Sequence, residues 1–285
     1  MIIGVYFGVV VRHIAFFLFS LLLFSCSEGG EPSGSIVMLC ADSANQDICD
    51  LTHDGAMCGI QRADATRSLI LQKHYKDVEH SYLALKELDT YKACLHNSVA
   101  AKSRRNKSDE ISRYETISRI SHFQDKLVNE TRGVRPEINL WLYKRNGDPD
   151  KWESMLNGVK VASKVHPDVY LAMMANAAMG SIDKAKGIAD ELKVKSRYLN
   201  SMPPELYEFY ITYYLQEGQP FKSAVWQGLY AHYLKQNSGI NEEYFKRYEK
   251  MSAVRLGEAK GLVSRILFTS SWAELEYTDL PLTII

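Results

Sequence analysis

No excess of charge of either sign marks this chain of 285 residues: 34 lysines and arginines stand against 34 aspartates and glutamates. A protein that binds nucleic acid by neutralising phosphates needs a basic surplus, so that class of partner is set aside. The one basic run, 102–107, is followed at once by Asp109 and Glu110 and reads as a solvated loop and helix start. The words of catalysis are missing too: no H-E-x-x-H, no G-x-S-x-G, and no Walker or dinucleotide fingerprint. Of the eight histidines, His74 and His80 lie six apart and so are expected on different helix faces. Asp42, Asp47, Asp50 and Asp54 cluster without the D-x-D-x-D-G spacing of a calcium loop, which leaves a solvated loop as their expected setting. No segment is left over that is long enough for a separate catalytic domain. The expectation is a non-enzyme with no metal and no cofactor.

Strand patterning is equally scarce. Alternation of period two is hard to find, while apolar residues at spacings of three and four recur from about residue 62 to 268, so an all-α chain is predicted. Val78, Tyr82, Leu85 and Leu88 form one stripe, and Ile111, Tyr114, Ile117 and Leu127 form another. The second helix should start after an N-cap at Ser108 and stop at Gly133 before Pro136.

What is present begins at the N-terminus. An apolar run from Phe16 to Phe24, broken only by Ser20, follows Arg12 and His13 and closes in Leu23-Phe24-Ser25-Cys26. It is too short to span a bilayer and has the order of a secretory leader. Cys26 resembles the acceptor of bacterial lipoprotein maturation, which implies a lipid on its thiol and cleavage after residue 25. The polar stretch that follows, with glycine, serine and glutamate, has the composition of a flexible tether. Ser27 stands where an aspartate would divert sorting in Gram-negative lipoproteins, so the resemblance implies a lipid-anchored protein of the outer membrane facing the periplasm. Loss of a leader carrying Arg12 moves the balance from 34:34 to 33 basic against 34 acidic.

Four cysteines remain, Cys40, Cys49, Cys58 and Cys94, an even number that suits disulfides in an oxidising compartment. No C-x-x-C occurs, and eight residues between successive N-terminal cysteines do not suit a zinc knuckle. Three connectivities are open. Cys40 with Cys49 and Cys58 with Cys94 is favoured, because Tyr91, Cys94 and Leu95 share one apolar helix face to which a loop from Cys58 can be stapled.

From Pro136 the chain becomes repetitive. Gly147, Gly180 and Gly218, spaced 33 and then 38 residues apart, each interrupt an apolar helical stretch. Helices entering at Pro136, Pro167 or Pro204 and turning at glycine predict hairpins that stack as an α-solenoid. In the unit from His166 to Lys195 the first helix offers Val169, Ala172, Met173 and Asn176 to its partner, and the second offers Ala185, Ala189 and Leu192. Gly180 followed by Ala185 resembles a tetratricopeptide repeat. Met173 and Ile211 stand where that family has glycine, and Trp152 where it has alanine, so the repeats are degenerate. The expected organisation is a leader over 1–25, a tether over 26–39, a cysteine-containing helical region over 40–133, repeats over 134–270 and an apolar tail over 271–285.

With Cys40, Cys49, Asp54-Gly55-x-x-Cys58-Gly59-Ile60 and Tyr91-x-x-Cys94-Leu95 ahead of a helical-repeat half, the chain resembles a family of uncharacterised gamma-proteobacterial lipoproteins that carry a domain of unknown function. The resemblance implies a location and a fold, not an activity.

Aromatic rings crowd the stretch 207–233. Tyr207, Tyr210 and Tyr214 share one helical stripe, and Trp226, Tyr230 and Tyr233 another, which is the pattern of a core. Phe209 and Tyr213 fall off the first stripe, are the candidate partner-binding residues, and one or the other is expected among the exposed rings, where aromatic anchors serve protein interfaces. The expected role is a non-catalytic adaptor or scaffold that holds an envelope protein or peptide segment. A glycan- or peptidoglycan-binding module using the rings as stacking platforms, and an accessory stalk of an envelope enzyme, are the rival expectations.

Overall fold

The computed structural model describes residues 35–52, 58–100, 107–196, 202–235 and 239–268. The expected leader, Cys26, most of the tether, Asp54, and the tail over 271–285 lie outside the described residues, as do the side chains of Ser108, Asp109 and Glu110. Among the described residues there is no strand, and the helices pack in sequence-adjacent pairs. One compact unit ends at Trp152 and a second begins at Glu153.

The first unit opens with α1 (Ile36–Ala41), a 3-10 turn (Ser43–Asn45) and α2 (Gln46–Leu51), with a disulfide from Cys40 to Cys49 joining the two short helices. Then α3 (Gly59–Tyr75) and α4 (Val78–Ala100) form a hairpin, held by the second disulfide from Cys58 to Cys94. Tyr91 and Leu95 are buried on the face of α4 that carries Cys94. The phenol of Tyr91 donates to the Thr52 carbonyl at 3.0 Å, and the Thr52 and Thr66 hydroxyls meet at 2.7 Å. That satisfies the polar groups where α2 rests on α3.

Two long elements complete the unit: α5 (Lys107–Glu130) and α6 (Pro136–Asn146), both packed on α4. Helix α5 begins one residue before the expected N-cap. Its buried face also differs from the expected stripe, because Ile111 and Tyr114 are exposed. The face turned inward runs through Arg113, Thr116, Ile117, Ile120, Gln124 and Leu127. A count of apolar residues misses this stripe, since three of its members are polar and are accommodated by hydrogen bonds. Gln124 donates to Leu85 O at 3.3 Å and to Asp89 at 2.8 Å and accepts from Lys92 at 2.9 Å. Trp141 of α6 donates its indole N–H to the other oxygen of Asp89 at 2.6 Å. The carboxylate of Asp89 thus ties α4, α5 and α6 through buried or half-buried polar groups.

Gly147 ends α6 in the left-handed region at φ +67°, its N–H bonded to Tyr143 O at 2.7 Å, as a glycine C-cap requires. Helix α6 gives Ile138 and Trp141 to the core of the first unit, which ends as a compact body at Trp152. Helix α7 (Pro149–Val161) contains that boundary.

In the second unit α8 (Pro167–Ala178) and α9 (Ile182–Ser196) form one hairpin, and α10 (Pro204–Gln216) and α11 (Pro220–Tyr233) form the next. Prolines occupy the first helical turns, where their missing N–H costs nothing. Ala185, Ala189 and Leu192 of α9 are buried as expected. On α8 Val169 is buried with Tyr170 and Met174, whereas Asn176 is exposed and Met173 half-buried, so the inward face is rotated from the expected one. A short α12 (Glu242–Arg247) and then α13 (Ala253–Phe268) follow, the latter packed on α11. This contact depends on Gly228: a Cβ there would lie 2.7 Å from Val263 Cγ2 and 3.2 Å from Ile240 Cγ1.

Candidate functional site

Helix α10 has an inner and an outer set of rings. Leu206, Tyr207, Tyr210 and Tyr214 follow one another at spacings of one, three and four and are buried, with Tyr210 stacked on Trp226 of α11 at 4.2 Å. The other expected core stripe holds only in part: Trp226 is buried, Tyr230 is half-buried and Tyr233 lies exposed. Helix α11 fills its inner face with Ala224, Val225 and Leu229 as well, which moves the later tyrosines outward.

Phe209 and Tyr213 lie one helical turn apart and are both half-buried, with their rings stacked at 5.9 Å and an interplanar angle of 17°. Each is braced by its inner neighbour, Phe209 edge-on to Tyr210 and Tyr213 edge-on to Tyr214. They are thus neither wholly core nor freely exposed: one ring face is supported by the fold while part of each side chain meets solvent.

Lysines edge these rings. The Lys186 ammonium lies 5.7 Å from the Tyr213 ring, Lys193 lies 5.5 Å from Tyr210 and Lys222 lies 5.0 Å from Tyr214, all within cation–π range. One carboxylate, Asp190, serves the group. It accepts the Tyr210 hydroxyl at 2.7 Å and pairs with Lys186 at 2.5 Å and Lys193 at 3.9 Å. Burial pushes Lys193 below the ordinary lysine value, against the pull of Asp190. Burial and then the nearby Lys186 lower Lys222.

The tyrosines shift the opposite way. Burial, then Asp190, raises Tyr210, and the same causes bring Tyr214 to about 12. Tyr213 is raised by burial and then by Glu217, Asp183 and Asp190. Upward shifts hold these phenols protonated, the state that donates a hydrogen bond and stacks. The arrangement is chemically suited to contact: supported rings, phenol donors, and ammonium groups set among carboxylates.

Among the described residues no three His, Cys, Asp or Glu side chains are placed to hold a metal ion. Asp42 caps the 3-10 turn by accepting from Ala44 N, Asp47 pairs with Lys73 at 2.9 Å, and Asp50 accepts from Gln46 at 2.8 Å. His74 and His80 are on different helices, α3 and α4, and not on two faces of one. Both rest on Tyr75, His74 edge-on at 4.8 Å and His80 stacked at 4.4 Å. The intervening turn, with Lys76 in the left-handed region at φ 53°, was missed because no glycine or proline marks it.

The Asp190 hub was also missed, although Lys186 and Lys193 at spacings of four and three on α9 are a visible signal. Among the described helices none is long and apolar enough to cross a membrane. Residues 23–226 match the model of a family described as a protein of unknown function (DUF2989), a stretch that ends within α11. No curated protein and no solved structure matches the chain.

Proposed function

The chain belongs to the DUF2989 family of unknown function, and we propose from that premise that it is an outer-membrane lipoprotein facing the periplasm, anchored through Cys26, that acts as a non-catalytic adaptor for another envelope protein. The leader pattern ending at Cys26 supports the anchor. Two disulfides, with no other cysteine after residue 26, suit an oxidising compartment. Paired helices with alanines at their close approach support degenerate tetratricopeptide-like repeats, a scaffold used to present binding surfaces.

The observation that carries the adaptor reading is the Phe209–Tyr213 stack. Rings braced from behind lose little conformational freedom when a partner covers them, and lysines beside them add directional contacts. A photo-crosslinking amino acid at position 213 in living cells is expected to capture one defined envelope protein. Capture of glycan strands would assign the face to peptidoglycan binding instead, and absence of any adduct would refute a docking role for it. Cys26→Ser is expected to shift the protein from the membrane to the soluble fraction, and retention in the membrane would refute the lipid anchor.

A further inference from the structure

The second unit contains an open cleft of about 960 Å³ that includes neither Phe209 nor Tyr213. It is lined by the start of α11, residues 218–222, and by residues 249–265 from the end of the α12 turn through α13. Its apolar floor is Phe221, Met251 and Leu262, and four cations surround it: Lys222, Lys250, Arg255 and Arg265. Only two carboxylates, Glu249 and Glu258, are among the lining residues, and Glu249 accepts the Tyr244 hydroxyl at 3.1 Å. Arg255 lies over the Phe221 ring at 5.1 Å and Lys222 over the Tyr214 ring at 5.0 Å, so both rest against aromatic faces.

Backbone charge adds to this sign. Both α11, of 14 residues, and α13, of 16, begin at the cleft. Their N-terminal ends carry partial positive charge. Helix α13 has a Ser252 hydroxyl accepting from Arg255 N, whereas no side chain caps α11 at Gln219.

We propose that this cleft is a docking site for an acidic peptide segment of a partner protein, one that places carboxylates on the cationic rim and apolar side chains on the floor. Charge complementarity sets the sign, four cations against two carboxylates. Helix geometry sets the spacing: Arg255 and Arg265 are ten positions apart on α13, which is about 15 Å at 1.5 Å per residue. An extended peptide covers that distance with carboxylates about four residues apart, leaving the residues between them for the half-buried ring of Phe221. Burial, and then the nearby Lys186, hold Lys222 below its ordinary value, and an arriving carboxylate offsets the second of these. The α11 side of the cleft lies within the stretch that matches the family and the α12–α13 side lies beyond it. The site does not rest on the adaptor reading of Tyr213.

The test uses the full chain and a fluorescein-labelled peptide with two glutamates about four residues apart flanking leucine and phenylalanine, read by fluorescence anisotropy. The same peptide with glutamine in place of glutamate is expected to bind at least about tenfold more weakly, which is about 1.4 kcal/mol. Arg255→Glu with Arg265→Glu should cost about tenfold or more, while Lys160→Glu, an exposed charge reversal on α7, should leave binding unchanged. Should the double reversal unfold, Arg255→Gln with Arg265→Gln at an unchanged melting temperature reads the same loss. Equal binding of both peptides, an equal loss in Lys160→Glu, no binding at all, or binding to anionic lipid vesicles in place of peptide would each overturn the proposal. Crosslinking at position 213 is scored separately, so failure of the cleft and failure of the adaptor reading are distinguishable.

Discussion

Replacing Cys58 and Cys94 together by alanine should destabilise the first unit more than replacing Cys40 and Cys49, and the two losses should differ in kind. The Cys58–Cys94 bond joins residues 36 apart, and the Cys40–Cys49 bond joins residues nine apart. Loop-closure entropy for those separations is worth about 3.8 and about 2.6 kcal/mol respectively. Packing widens the gap. Cys58 is 1% exposed within the core that includes Ile48 and Tyr91, so its truncation also leaves a gap costing roughly 1 kcal/mol. At the other bridge Cys49 is also buried, at 4%, but it lies outside that core cluster and its partner helix α1 has no buried residue, so release of α1 frays a short segment. Scanning calorimetry should show the Cys58/Cys94 variant melting lower by roughly 2–4 °C for each kcal/mol of difference. Limited proteolysis should show new cleavage near α1 in the Cys40/Cys49 variant alone. An equal or larger loss of melting temperature in the Cys40/Cys49 variant would refute the argument from loop length and burial.

Three further outcomes are expected. Gln124→Met should cost about 2–3 kcal/mol in urea unfolding, since it removes the bonds to Leu85 O and Asp89 and the acceptor for Lys92; a loss below about 0.5 kcal/mol would refute the network's role. Gly228→Ala should destabilise by about 1–3 kcal/mol through contact with Val263, and adding Val263→Ala should recover part of it. By contrast Gly257→Ala, with nothing within 4 Å of the new Cβ, should be neutral or stabilising. Finally, hydrogen bonds from Lys246 and Lys260 lower Glu242 from 4.5 to about 2. Its contribution is therefore full above the ordinary carboxylate value and lost as pH falls through about 2. The melting-temperature difference between wild type and Glu242→Gln should be present at pH 7 and vanish by about pH 2; a difference independent of pH would refute the assignment.

Much of the fold was legible because local chemistry and packing agree. Glycine after Asn146 and after Glu217 marks turns that take positive φ, at Gly147 and Gly218, and the tyrosine stripe of α10 lies inward at helical spacing. Gly180 occupies a turn without a left-handed φ, so composition located the turn but not its geometry. The apolar stripe placed on Ile111 and Tyr114 failed because Arg113, Thr116 and Gln124 occupy the inward face, and a pattern of hydrophobicity cannot register a polar group whose partner comes from another helix. Phe209 and Tyr213 lie off the buried stripe but are half-buried and packed against the core, and their bracing by Tyr210 and Tyr214 is a matter of ring orientation that spacing does not carry. The basic cleft was not legible at all: Lys222 and Arg265 are 43 positions apart, and only the packing of α13 on α11 brings their elements to one cleft.

The disulfide connectivity has a consequence for how the chain is made. The four cysteines after Cys26 pair consecutively along the chain, first Cys40 with Cys49 and then Cys58 with Cys94. A chain emerging N-terminus first, whether from a ribosome or a translocon, presents these thiols in the order of their correct partners, so an oxidant acting as they appear makes the native bonds without later isomerisation. No cysteine follows Cys94. Oxidation can therefore be finished before the last two-thirds of the sequence has emerged, and the second unit matures by packing alone.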